Sequence, residues 1–138
     1  MARLSFPQHE ARLPWLAALL EAYAGIDDGV KKAFMLQTDK GRSLACAKGC
    51  SACCRCHLDI PVHPLELMGI YCCVIEQLTG PALRRIHDQF VQYQPGQPCV
   101  FLVDGACGIH PVRSMSCRQF NVVNTSCAEE DEDAGHTR

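Results

Sequence analysis

Long apolar runs are missing from this sequence. None reaches the ~18 residues that a membrane-spanning helix needs, so no such helix is expected. An excess of charge of one sign is missing too. Thirteen Lys and Arg against fifteen Asp and Glu leave a formal charge of −2. Aromatic residues are sparse, with one Trp, three Tyr and five Phe, and no basic-aromatic stripe forms. Nucleic acid and acidic lipid are therefore not expected partners. A secretory leader is not expected either. Leu13–Leu20 followed by Ala22-Tyr23-Ala24 imitates one, but Glu10 and Arg12 precede it and Glu21 interrupts it. An amphipathic helix explains the stretch better. No Ser/His/Asp constellation is legible, no Gly-rich nucleotide loop follows a strand, and no internal repeat of useful length is present, so the sequence leaves open whether the protein is an enzyme.

What the sequence does have is cysteine: eleven in 138 residues. An odd number cannot pair completely within one chain. Without a leader, a reducing cytoplasm is the expected compartment, and cysteine clusters there bind metal. Four thiols stand within nine residues, Cys46-x3-Cys50-x2-Cys53-Cys54. Four more follow at wider intervals: Cys99, Cys107, Cys117 and Cys127. Thiolates are soft ligands that suit zinc and iron–sulfur clusters. Structural zinc usually takes two pairs with two-residue spacing. Cys50-Ser51-Ala52-Cys53 is one such pair, and the second group offers none. A cubane cluster takes about four thiolates, which three from the first group and one from the second would supply. Iron–sulfur, 4Fe–4S, is thus favoured over zinc. One centre or two, and which of Cys53 and Cys54 ligates, both stay open. The function expected is a redox or accessory role, with a larger enzyme or other protein as partner; the alternative is a zinc-stabilised interaction module without catalysis.

The rest of the pattern reads as a small α+β domain, mainly helical, with an irregular cysteine-rich loop and a short β-hairpin. Residues 1–128 form the single domain expected, and 129–138, opening Glu-Glu-Asp-Glu-Asp, an acidic, disordered tail. One helix spans 13–24 and stops at Gly25. Asp27 caps a second that runs to about Asp39, and Gly41 ends it. Leu58–His63 alternates like a strand, confined to an edge by Pro61. A third helix covers 64–78, with Leu65, Met68, Cys72 and Ile75 on its apolar face and Glu66, Cys73 and Glu76 on another. On that reading Cys72 packs in the core, Cys73 is an exposed spectator thiol, and Glu66 is a first-turn residue favoured by the helix dipole. A fourth helix carries Leu83, Ile86, Phe90 and Tyr93. Asp104-Gly105 marks a hairpin. A two-residue loop would pair Val103 with Ala106 and send Cys99 and Cys107 to opposite faces. A three-residue loop would pair Val103 with Cys107 and unite them, and a shared metal site favours the latter.

Other residues near the cysteines read more plainly. Cys56 and His57 are extras beside the cluster, and His63 and His110 are surface or turn histidines. Arg113 and Arg118 flank Cys117, and a guanidinium there would stabilise a negatively charged thiolate cluster as a cofactor-binding group.

The Cys46-x3-Cys50-x2-Cys53 spacing also equals the iron–sulfur triad of radical-SAM enzymes, but the chain is too short for their barrel. Taken together, the first cysteine group, Pro98-Cys99-Val100-Phe101-Leu102 and Cys107-Gly108-Ile109-His110-Pro111-Val112-Arg113-Ser114-Met115-Ser116-Cys117-Arg118-Gln119-Phe120 resemble the YkgJ-type cysteine-cluster family, a zinc- or iron-chelating domain. The resemblance runs from about Cys46 to Cys127. It implies Cys46, Cys50, Cys53, Cys54, Cys99, Cys107 and Cys117 as metal ligands, and Cys127 matches a common trailing cysteine. The chain departs from the family pattern at Val100, His110 and Ser114, where Pro, Tyr and Pro are usual. All three lie outside the ligands. Some relatives carry the cluster within protein lysine methylases, a role not implied here without a nucleotide loop.

Overall fold

The computed structural model describes residues 3–46, 49–57 and 59–124. Six helices and one hairpin follow in chain order: α1 (Pro7–Glu10), α2 (Pro14–Thr38), α3 (Ala52–Cys56), α4 (Pro64–Gln77), α5 (Gly80–Gln92), β1 (Leu102–Val103), β2 (Ala106–Cys107) and α6 (Met115–Gln119), with a 3-10 turn at His110–Val112. The fold is a mainly helical α+β domain with one two-stranded antiparallel sheet.

Proline starts the principal helices. Pro14, Pro64 and Pro81 sit in the first turns of α2, α4 and α5, where the missing N–H would have no helical partner. The core lies between the first half of α2 and α4, closed by the segments on either side. Leu16, Leu19, Leu20 and Tyr23 of α2 meet Ile70, Cys72 and Cys73 of α4, with Phe6, Ile109 and Val112 completing the cluster. Gly69 lets α4 approach α2 closely: a Cβ there would lie 2.8 Å from a Leu19 methyl.

Several expectations are corrected. The two helices expected over 13–24 and 27–39 are one helix, 25 residues long. Gly25 does not stop it, because a glycine inside a helix costs only about 1 kcal/mol relative to alanine. Asp27 is not a cap. It stays within α2 and its carboxylate pairs with buried Arg118 at 2.7 Å. Gly41, at φ +74°, does follow the helix end, and the Arg42 N–H returns to the Gln37 carbonyl at 3.0 Å.

Among the described residues of the segment expected as a strand, 59–63, no strand forms. Residue 58 lies outside the described residues, and 59–63 run to His63 without sheet partners. On α4 the faces are exchanged except at Cys72, which is buried, and Glu76, which is exposed. Leu65, Met68 and Ile75 are about half exposed, while Glu66, Gly69, Ile70, Cys72 and Cys73 are buried. Cys72 is in the core as expected, and Cys73, expected on the surface, is there too. The inward face is set by the close approach at Gly69 and by partners for Glu66, not by the apolar stripe.

The hairpin takes the two-residue loop. Leu102 pairs with Cys107 and Val103 with Ala106, and both Asp104 and Gly105 have positive φ, 49° and 78°, as a type I′ turn requires. Cys99 and Cys107 are brought together all the same. The strand begins only at Leu102, and the Leu102 N–H closes a turn onto the Cys99 carbonyl at 2.9 Å. Face alternation holds along a continuous strand, so it does not reach back through that turn to Cys99.

Candidate metal centre

Two limbs of chain carry the cysteines, and short backbone hydrogen bonds tie them together. The first limb enters along residues 122–124. Leu44 bridges Val123, the Ala45 N–H donates to the Val122 carbonyl at 2.9 Å, and the Asn124 N–H donates to the Ser43 carbonyl at 2.8 Å. Cys46 leaves this stitch with its Sγ accepting from the Val122 N–H at 3.5 Å. Gly49, at φ +87°, turns the chain towards Cys50, and α3 presents Cys53 and Cys54. The second limb joins there: the Cys99 N–H donates to the Cys54 carbonyl at 2.8 Å. The turn at 99–102 and the hairpin then bring up Cys107. Cys117 rides on α6, whose cap Ser114 accepts from the Cys117 N–H at 3.3 Å.

These limbs enclose a cavity of about 450 Å³. Cys46, Cys50, Cys53, Cys54, Cys99, Cys107 and Cys117 all line it. Every candidate ligand within the described residues is therefore on one wall or another of the same space. Cys127 lies outside the described residues, as does the acidic tail. None of the ten described cysteines is in a disulfide. Among the described residues, no three Cys, His, Asp or Glu side chains stand ready as a metal-ligand group. The thiols gather around a space without yet forming a coordination sphere.

Cys54 is the hub. Its single proton is shared with the neighbouring sulfurs of Cys107, Cys53 and Cys99, which, with burial, holds it on far above the ordinary thiol range. The neighbours respond in the opposite sense. Hydrogen bonding from Cys54 brings Cys53 and Cys99 down to about 6 and lowers Cys107 as well. Backbone N–H groups add to this: that of Phe101 donates to the Cys99 sulfur and that of Ile109 to the Cys107 sulfur. Such N–H donors favour the thiolate, the form that binds metal, and they tune a bound centre. Cys117 moves the other way, pushed up by burial and partly relieved by Ser114. The donor set fits a soft metal: sulfur outnumbers every other ligand type on the cavity wall, and part of it is already biased towards thiolate.

The two arginines separate. Arg118 does not line the cavity. Its guanidinium is 4% exposed and pairs with Asp27 at 2.7 Å. It also donates to the carbonyls of Arg113 and Pro111 and lies over the Tyr23 ring at 4.1 Å. Arg113 does line the cavity, next to His110. Of the extras, His57 reaches the wall and packs against Phe120 with ring centroids 4.3 Å apart, and Cys56 is exposed at the end of α3. His63 precedes α4, where its backbone N–H donates to Glu66 at 2.9 Å.

Glu66 is the supporting residue that the sequence pattern hides. It is 1% exposed. Its Oε1 accepts the Met115 N–H at 2.6 Å and the Tyr23 hydroxyl at 3.4 Å, and its Oε2 accepts the His63 N–H. A carboxylate from α4 thus fixes the start of α6 two residues before Cys117. The only local signal was its place three residues after His63, just inside the helix. The contact with Met115 crosses 49 positions of sequence. Compared with protein-family models, with curated proteins and with solved structures, the chain matches none.

Proposed function

We propose that the protein holds an iron–sulfur cluster between its two cysteine limbs and serves in a redox or accessory role. The observation that carries this reading is the gathering of seven thiols around one cavity of about 450 Å³. A single zinc ion takes four ligands in a structural site, so seven thiols exceed what one ion uses. A multi-iron cluster needs more room and about four thiolates, and the remaining sulfurs would stay in reach of it. Cys53, Cys99 and Cys107, whose protons are loosened by Cys54 and backbone donors, are the first candidates, with Cys46, Cys50 and Cys117 around them. The resemblance of the cysteine spacing to the YkgJ-type family supports metal chelation, by zinc or by iron. A reducing compartment belongs to the same proposal, since these ligands must remain thiols. The described residues contain no helix long and apolar enough to cross a membrane.

One observation favours a second reading. The hub formed by Cys54 with Cys53, Cys99 and Cys107 is a set of four sulfurs, the number that a structural zinc ion takes. On that reading the protein is a zinc-stabilised binding module. Anaerobic purification followed by iron, sulfide and zinc analysis decides. The proposal expects brown protein with iron and acid-labile sulfide in equal amounts. Colourless protein with one zinc per chain supports the module, and protein without either metal contradicts both.

A further inference from the structure

Among the described residues that line the thiol cavity, Arg113 is the one side chain of fixed positive charge. Its described neighbours hold it in place without neutralising it. The backbone is pinned by Arg118, whose Nε donates to the Arg113 carbonyl at 3.0 Å. One terminal nitrogen, Nη1, meets Nε2 of His110. Burial, with help from the Arg113 charge, lowers the His110 pKa and so favours the neutral ring, which can accept from Arg113. Among the described residues, the buried Nε of Arg113 finds no hydrogen-bond partner and no carboxylate pairs with the group, whereas Arg118 has Asp27. A half-buried guanidinium with an unmet donor is costly unless something anionic faces it. Cys107, with Cys99 and Cys117, lines the same cavity as the Arg113 side chain.

We propose that Arg113, oriented by His110, is the charge-compensating residue of the thiol cavity, and that it sets the reduction potential of the cluster bound there. The inference rests on the iron–sulfur reading. A cluster held by several thiolates is anionic, and adding an electron makes it more so. A fixed cation stabilises the reduced state more than the oxidised one, so it raises the potential. Net charge and hydrogen bonding around the sulfurs are among the terms that set such potentials. His110 acts by holding Arg113 in place.

The test is a reductive titration of the full chain with dithionite as electron donor, followed by visible and paramagnetic-resonance spectra. The proteins are wild type, Arg113→Gln, Arg113→Lys and His110→Leu. Arg113→Gln is expected to shift the midpoint downwards by the equivalent of a tenfold change in equilibrium constant, about 59 mV for one electron. Arg113→Lys, which keeps the charge, returns the midpoint towards the wild-type value, and His110→Leu gives a smaller downward shift than Arg113→Gln. A loaded wild type whose midpoint is unchanged in Arg113→Gln overturns the proposal and leaves the iron–sulfur reading standing. Wild-type protein that holds no cluster overturns both. Should Arg113→Gln fail to load, the lysine variant decides: loading with a near-wild-type midpoint supports charge compensation, and failure of both assigns Arg113 to folding and refutes it.

Discussion

The backbone N–H of Cys99 donates to the carbonyl of Cys54 at 2.8 Å, joining two cysteine groups that are 45 positions apart in sequence. The bond explains how a hairpin and a loop share one cavity. It sets the distance between limbs before any ligand is bound, and it brings the Cys99 sulfur to the Cys54 thiol. Three consequences concern the thiols and their support, and a fourth concerns the buried ion pair.

Core thiols and cavity thiols should separate cleanly. Cys53→Ser and Cys54→Ser are expected to lose the metal, as are Cys46→Ser and Cys50→Ser. Cys72→Ala and Cys73→Ala should keep it, because both side chains belong to the core cluster. Each of the alanine variants should lower stability by roughly 1 kcal/mol through loss of a small buried group. Metal content by elemental analysis and urea unfolding of the same samples check both halves.

Glu66 should matter more than any exposed charge. Glu66→Ala removes the acceptor of two backbone N–H groups, those of Met115 and His63. Hydrogen bonds to a charged group contribute about 1.5–3 kcal/mol each, and stranded buried donors add to the loss. A destabilisation of about 3 kcal/mol or more is expected from denaturant unfolding. Glu66→Gln, which keeps one acceptor oxygen, should cost less.

The Asp27–Arg118 pair should be asymmetric. Arg118 is 4% exposed and Asp27 is 41% exposed. Truncating Arg118 to alanine empties a buried site and leaves two carbonyls without their donor, a loss of about 3 kcal/mol. Asp27→Asn removes a charge that water already screens, so about 1 kcal/mol or less is expected. Thermal unfolding of the two single variants compares them directly.

In the metal-free, reduced protein, alkylation should depend on pH in a site-specific way. Cys53 and Cys99 titrate at about 6 in the folded chain, below the ordinary thiol value of about 8.5. Near neutrality they are mostly thiolate and react; their rates fall as pH falls through 6. Cys72 and Cys73, raised by burial, should label only on unfolding. The linkage has the same sign. Between about 6 and 8.5 the unfolded chain binds more protons at Cys53 and Cys99, so their contribution to stability rises with pH across that window and is lost below it. Mass spectrometry of peptides after timed alkylation measures the rates.

Local chemistry was legible in the sequence and long-range partners were not. Pro64 suits the first turn of the helix expected over 64–78, because its ring and missing N–H act within one turn. Asp104-Gly105 marks the hairpin for the same reason. The thiols that line the cavity are those the spacing singles out, apart from Cys127, which lies outside the described residues. What failed depended on distant contacts. Gly25 looks like a stop, yet α2 passes through it, with Asp27 tied to Arg118 across 91 positions. The apolar stripe of α4 looks inward-facing, yet Glu66 takes that side because Met115 and Tyr23 supply its partners. Cys99 and Cys107 were expected to need a longer hairpin loop, and the turn before Leu102 unites them instead.

The central claim is that both limbs serve one centre. Its most direct test is the metal and sulfide content of anaerobically purified Cys53→Ser and Cys99→Ser, each compared with wild type. With one shared centre, either substitution removes the whole complement. If each variant keeps about half, or if one keeps all of it, the limbs bind separately and the shared centre is refuted.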